Sequence, residues 1–214
     1  MLNGSRKRSR PWHRLAATCG AAVLVSGLLS AGTAAAAPVT FNYDVTGGTA
    51  TVEKLGSTLE LGQGSLSAHI DVASGEFVAD LDMDTAHGEF TVFGFVPVSA
   101  DLDLIPQGQT TGKIDGGSVT AEANVTLKLS NVKVAGVPAF IGDNCRTKTP
   151  ATVSLASAPG FNPLVGGDLL STFTIPKFSG CKVLTVIPWV ADLALDALIA
   201  GPDNDLKLTL AWAN

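Results

Sequence analysis

Side chains able to do chemistry are scarce in this chain. Its 214 residues hold three histidines, three cysteines and one tyrosine. Beyond residue 36 the histidines are His69 and His87, and the cysteines are Cys145 and Cys181. No G-x-S-x-G elbow places a serine beside a base. No glycine-rich loop is spaced to cradle phosphate, and no zinc signature occurs. Two histidines and two cysteines, all far apart, are too few for a zinc site. An enzyme is therefore not expected, and no cofactor is implied.

Long apolar runs are also lacking, with one exception. Arg6, Lys7, Arg8, Arg10 and Arg14 precede an apolar stretch from Leu15 to about Leu29, and Ala34-Ala35-Ala36 follows. This order reads as a secretory signal peptide over residues 1–36, cleaved before Ala37. The run is short for a membrane span. No other run approaches it, so no transmembrane segment is expected after cleavage. The expected location is secreted, with residues 37–214 forming a single β-rich domain.

Positive charge is sparse where it would matter for nucleic acid. Five of the fourteen Lys and Arg precede Ala37, whereas all nineteen acids follow it, leaving a net charge of −10. From Ala37 to Leu104 there are eleven acids and one base, Lys54; from Ile105 onward the two signs balance at eight each. Such a chain is a poor partner for nucleic acid or an anionic surface.

An isolated cysteine pair outside the cytoplasm is expected to form a disulfide, here Cys145–Cys181. Closing a loop of roughly 36 residues stabilises by about 4 kcal/mol in the chain-entropy picture. The Cα atoms are expected about 4.4–6.8 Å apart.

Period-two alternation dominates what is present. Phe41, Tyr43 and Val45 alternate with polar neighbours, as do Leu66 to Val72 at even positions and Phe77 to Met83 at odd ones. Val98 to Leu104, Val119 to Leu129 and Leu206 to Trp212 behave alike. Segments that bury one face and wet the other belong to antiparallel sheet. Shorter strands are expected at Thr49–Leu55, Thr58–Leu61, Glu89–Phe95, Asn131–Val134, Ala151–Ala156 and Leu169–Ile175. Turns are expected at Gly47-Gly48, Ser74-Gly75, His87-Gly88, Gly116-Gly117, Pro159-Gly160 and Gly166-Gly167. One stretch has helical spacing instead, Pro188 to Ala200, with Asp192 and Asp196 on one stripe. The expected fold is all-β: an antiparallel β-sandwich, or a partly closed barrel, with one short C-terminal helix before the last strand. That helix is expected to pack on the sheet or cover an open end.

Three further features carry functional expectations. Asp80, Asp82 and Asp84 project from one strand and Asp101 and Asp103 from another, which makes them candidate cation ligands. The D-x-D-x-D pattern does not continue as a calcium loop, because Thr85 and Thr91 stand where glycine and glutamate are needed. A solvated acidic face that discourages strand addition is the favoured reading. The same acids lack an aromatic neighbour for stacking a sugar, which argues against glycoside hydrolysis. Inward positions near mid-strand are alanine: Ala68, Ala79, Ala100, Ala121 and Ala123. They let two walls approach closely, or they leave room for an apolar ligand. Finally, Asn124-Val125-Thr126 has the form of a glycosylation sequon.

Two placements are specific enough to check. Trp212, on the inward face of the last strand, is expected to be largely buried. A four-residue connection from Ala73 to Glu76 would set His69 opposite Asp80 and raise the histidine's pKa.

The segment Ile141-Gly142-Asp143-Asn144-Cys145-Arg146-Thr147-Lys148-Thr149-Pro150, with Phe178-Ser179-Gly180-Cys181 downstream, resembles uncharacterised secreted proteins of actinobacteria. The resemblance implies export and a disulfide, and no catalytic residue. Together these readings describe an exported, non-enzymatic protein of the cell envelope or extracellular space, with a binding or structural role. Its partners are unknown. The alternative is a carrier of an apolar small molecule or lipid in an Ala-lined interior, with the helix as a lid.

Overall fold

The structure, a computed structural model, describes residues 37–182 and 188–213. The expected signal peptide, residues 1–36, lies outside the described residues. Among the described residues there are fourteen strands, one 3-10 turn at Glu53–Leu55 and one α-helix. The strands are β1 (Val39–Val52), β2 (Ser57–Leu61), β3 (Gly64–Ile70), β4 (Glu76–Met83), β5 (Ala86–Val92), β6 (Val96–Pro106) and β7 (Thr110–Asp115). They continue as β8 (Ser118–Val134), β9 (Val137–Pro138), β10 (Arg146–Thr147), β11 (Ala151–Ser157), β12 (Gly166–Ile175), β13 (Phe178–Ser179) and β14 (Gly201–Trp212). Helix α1 spans Pro188–Leu198, just before the last strand.

Every strand pairing is antiparallel, and the sheet closes on itself. The order β11-β12-β14-β1-β3-β4-β7-β8 returns to β11 because β8 also pairs with β11. The two facing layers of the expected sandwich are thus opposite walls of one continuous sheet. Closure leaves this ring without a free edge.

Two strands are longer than the turn signals implied, and both bend rather than stop. β1 runs through Gly47-Gly48, with a register shift between Val45 and Gly47 while β14 continues opposite. β8 runs through Asn131, with a shift opposite Ser99 and Asp101 of β6. A bulge inserts one extra residue and flips the parity of inward positions. Tyr43 and Val45 face the core before the first bulge and Ala50 after it. Leu127 and Leu129 are buried before the second, and after it Val132 lines the interior and Val134 its exposed rim. Neither Gly47-Gly48 nor Asn131 is a break. His87-Gly88 is likewise no turn, since both residues belong to β5. Gly166-Gly167 opens β12.

These long strands carry the chain into a second wall beyond the ring. There the far half of β8 pairs with β6, which pairs with β5, while β2 pairs with the far half of β1. The interior divides in the same way. One buried cluster centres on Tyr43, Val45, Ala68, Ala79, Leu155 and Leu210 inside the ring. The other centres on Ala100, Leu127, Leu129, Ile175, Phe178 and the Cys145–Cys181 pair.

The β3–β4 hairpin corrects the expected pairing. Its register sets His69 opposite Val78 and Ser67 opposite Asp80. The connection does have four residues, but they are Val72 to Gly75, one position earlier. Asp71 decides this. Its side chain accepts the amides of Ala73 and Ser74 at 2.8 and 3.4 Å, and its carbonyl accepts the Gly75 amide at 2.7 Å. That Asx-type turn, completed by Gly75 at φ 74°, ends the strand at Ile70 and leaves Val72 exposed. His69 instead forms a hydrogen bond with Thr40 Oγ1 at 2.9 Å.

Trp212 also departs from expectation. It stands at the rim of the ring with 36% of its surface exposed. Its ring meets Phe41 and Tyr43 edge-on, with centroids 5.2 and 5.7 Å away. A rim position gives a large ring aromatic neighbours on one side and solvent on the other.

Candidate functional site

The two ends of the interior differ. At the Trp212 end, the Ala158–Val165 segment reaches over the ring and packs Phe161 against the core. The Tyr43 hydroxyl donates to the Pro163 carbonyl, and burial pushes the phenol pKa up. The Trp212 amide donates to the Val165 carbonyl at 2.9 Å. Large side chains fill this end, and the void they leave is only about 60 Å³. Ala68, Ala79, Ala121 and Ala123 all line it, with Ala68 directly opposite Ala79. The inward alanines are therefore placed as expected, but most of them serve close packing. A middle void of about 80 Å³ lies between Leu59, Leu81, Leu104 and Leu206.

The room is at the opposite end. A cavity of about 320 Å³ opens between β2, β5, β6 and the far half of β8, with α1 along one side. Its wall is apolar: Val52, Leu59, Phe90, Val98, Leu102, Leu127, Leu129, Val132, Ile175, Phe178, Leu195 and Ile199. Of the five inward alanines, Ala100 lines it. Ser57, Thr58 and Glu89 border it as well, with Thr58 and Glu89 at exposed positions of β2 and β5. Glycine shapes one wall. A Cβ on Gly88 would come within 2.6 Å of Leu59 Cδ1, so a side chain at position 88 would make Leu59 shift where β2 lies over β5.

Helix α1 is held in place by Asp192 and Asp196, the two acids that share one stripe. Asp196 Oδ1 accepts the Phe178 amide at 2.7 Å, and Asp192 Oδ1 accepts the Cys181 amide at 2.9 Å. The two carboxylates, four apart on one stripe, thus pin the helix to β13. Leu195, Leu198 and Ile199 line the cavity. The Lys54 ammonium donates to the Asp196 carbonyl at 3.1 Å. The Cys145–Cys181 disulfide is formed, with its Cα atoms 4.1 Å apart, slightly closer than the expected range. It joins the residue before β10 to Cys181, two residues past β13, so the helix anchor is cross-linked to the β8 wall. Leu129 donates its amide to the Cys145 carbonyl at 2.8 Å, which completes that link.

Asn204 does similar work from the start of β14 and had no signature in the sequence. It is 1% exposed. Its Nδ2 donates to the Gly201 carbonyl at 2.7 Å and to the Phe173 and Pro202 carbonyls at 3.3 Å. Its Oδ1 accepts the Glu53 amide at 3.1 Å. One buried amide thus fixes the chain where helix, 3-10 turn and two strands meet.

The acidic candidates do not converge. Asp80 accepts both of its bonds from Gln109 Nε2 at 3.1 Å. Asp103 accepts from Thr85 Oγ1 at 2.6 Å and from Lys128 at 3.3 Å. Asp101 accepts from His87 Nδ1 and from Asn131 Nδ2, both at 2.6 Å. Their strands are not neighbours, since β4 pairs with β3 and β7 while β6 pairs with β5 and β8. Asp82 and Asp84 stay on the exposed face of β4 and its end. Among the described residues no three His, Cys, Asp or Glu side chains gather as a ligand set. The sequon residue Asn124 accepts from Thr152 Oγ1 at 2.8 Å on the outer face.

Among the described residues no helix is long and apolar enough to cross a membrane. The chain matches no protein-family model, and neither a curated protein nor a solved structure matches it.

Proposed function

We propose that this chain is an exported, non-enzymatic binding protein that holds an apolar small molecule, such as the acyl chain of a lipid, in the cavity beneath α1. The observation that carries this is the wall of that cavity. About 320 Å³ of space is bounded almost wholly by carbon. Close-packed interiors leave few voids larger than a water molecule, and water gains little where it finds no polar partner. Space of this size and polarity suits an apolar guest, and it lies at the lower end of the range for small-molecule sites. The polar side chain on the inward side of this wall is Ser57, whose hydroxyl would offer the polar end of an amphiphile a partner. Export is supported by the basic start, the apolar run and the A-x-A sequence before Ala37, and by a disulfide suited to an oxidising compartment.

A purely structural module would have no use for this space and would gain stability by filling it. The test is a native mass spectrum of residues 37–214 purified without detergent, together with titration by the apolar fluorophore N-phenyl-1-naphthylamine. Bound lipid, or saturable fluorescence at one site that a fatty acid displaces, supports the carrier. A bare mass with no saturable uptake of the fluorophore sinks it.

A further inference from the structure

The cavity wall continues outward into an exposed apolar rim. Phe93 and Phe95, in the turn between β5 and β6, are 76% and 77% exposed. Val134 and Val137, paired across the Ala135-Gly136 turn between β8 and β9, are also exposed. The two turns stand side by side, because Val98 pairs with Val134 and the Ala135 amide donates to the Pro97 carbonyl at 2.8 Å. Phe93, Val96 and Val134 belong to the cavity lining as well, so rim and lumen form one apolar surface.

The backbone adds a second observation. Phe93 has φ 54° and Gly94 φ 76°, so both centres of this turn are left-handed. Such a turn favours Asn-Gly, and a bulky aromatic residue in the left-handed region is strained. Phe93 holds an exposed position against both its conformational preference and its hydropathy. Strain of this kind concentrates at working surfaces.

Charge points to the occupant. From Val92 to Ala100 there is no charged residue, and from Leu129 to Ile141 the one charge is Lys133. In a chain so rich in acids, these two tip segments carry no carboxylate and a single ammonium, and the nearest acids, Glu89 and Asp101, stand further along the β5–β6 pair. A surface of acyl chains beneath phosphate headgroups matches that pattern. Two narrow turn tips also suit insertion between headgroups better than they suit a flat protein face.

We infer that the Phe93–Phe95 and Ala135–Gly136 turns dock this protein on a lipid surface, with the aromatic tips in the interfacial layer and the cavity mouth facing it. The docking gives the proposed cavity of the preceding reading a route for its ligand that avoids water. It is tested separately from that reading.

The test is flotation of residues 37–214 with vesicles of phosphatidylcholine containing a minor share of phosphatidylglycerol. The wild-type protein floats with the vesicles. Phe95→Ser combined with Val137→Ser, two exposed tip residues outside the cavity lining, lowers the vesicle-bound to free ratio about tenfold or more, since two apolar side chains no longer leave water. The double variant keeps its unfolding temperature and its fluorophore uptake, which shows that the fold and cavity are intact. Lys133→Glu lowers flotation further when the anionic lipid is present. The inference is overturned if the wild-type protein stays unbound, or if the double variant floats equally well. It is also overturned if light scattering finds a dimer that the double variant loses, because the rim would then be a self-association surface. Fluorophore uptake without flotation rejects the docking and leaves the cavity reading standing. Flotation without uptake does the reverse.

Discussion

His87 and Asp101 face each other across the β5–β6 pair, with Nδ1 2.6 Å from Oδ1. The carboxylate can only accept, so the ring donates through Nδ1–H. Asn131 donates to the other oxygen at 2.6 Å from the bulge in β8. One carboxylate thus joins the outer faces of three strands.

The His87 hydrogen bond, then that of Asn131, holds the Asp101 carboxyl below the usual carboxylate range, with smaller help from the charges of His87 and Lys133. A depressed folded pKa means that the contribution to stability is present above the unfolded value, about 3.9. It is lost as pH falls through the lower folded value. The site is near solvent, so the effect is small. A carbon-detected NMR titration of Asp101 gives a midpoint below the ordinary carboxylate value, and His87→Gln together with Asn131→Ala moves it upward. An unchanged midpoint in that double variant would show that these bonds do not form.

Asn204 is the most exacting polar position in the interior. Asn204→Ala removes donors to three carbonyls and the acceptor for the Glu53 amide, and it leaves those backbone groups without their partner. The expected loss is about 2–4 kcal/mol in urea unfolding. A loss under about 1 kcal/mol would mean that water replaces the side chain readily.

Cys145 and Cys181 tie the helix anchor to the β8 wall. Replacing both by serine is expected to lower stability by about 2–4 kcal/mol. It should also loosen α1 before the ring, because Asp192 bonds the amide of Cys181 itself. Hydrogen exchange checks this. Amides of α1 and β13 should lose protection while those of β3 and β4 keep theirs. Equal loss throughout would show that the disulfide acts on the whole fold rather than on this end.

Most strands were legible because alternation survives wherever one face is buried. The inward sets Leu66 to Ile70, Phe77 to Met83 and Val119 to Leu129 all face the interior. The sequence was ambiguous where parity changes. Val45 to Ala50, and Leu129 to Val132, each shift by one, and a shift can mark either a turn or a bulge. Only the partner strand distinguishes them. β14 runs unbroken past Gly47 and β6 runs past Asn131, so both are bulges. The Asp71 turn escaped for a related reason, since Val72 fits the even-numbered apolar series and only the Asp71 side chain removes it from the strand. The site itself was half legible. Alanine at mid-strand signalled small inward side chains, but not that Tyr43, Phe77 and Phe161 would fill the space beside most of them. The open end owes its volume to Gly88, the bulge in β8 and the position of α1, none of which a single strand reveals.

Ala79 and Ala100 allow the difference between the two ends to be measured with one substitution. Ala79 is 1% exposed, faces Ala68 across the β3–β4 pair and borders only the void of about 60 Å³. Leucine there has to displace neighbours that already touch, and overpacking of this kind costs about 1–3 kcal/mol. Ala100 is 6% exposed, faces Gly88 across the β5–β6 pair and borders the cavity of about 320 Å³. Leucine there finds open apolar space. Ala100→Leu is therefore expected to leave the unfolding temperature unchanged or higher, because added methylenes leave water without strain. The same variant should bind N-phenyl-1-naphthylamine about tenfold or more weakly, since the side chain occupies the volume the fluorophore needs. Ala79→Leu should show the opposite pair of results, lower stability and undiminished binding. If Ala100→Leu destabilises as much as Ala79→Leu, the space beneath α1 is closed in solution, and the ligand reading fails with it.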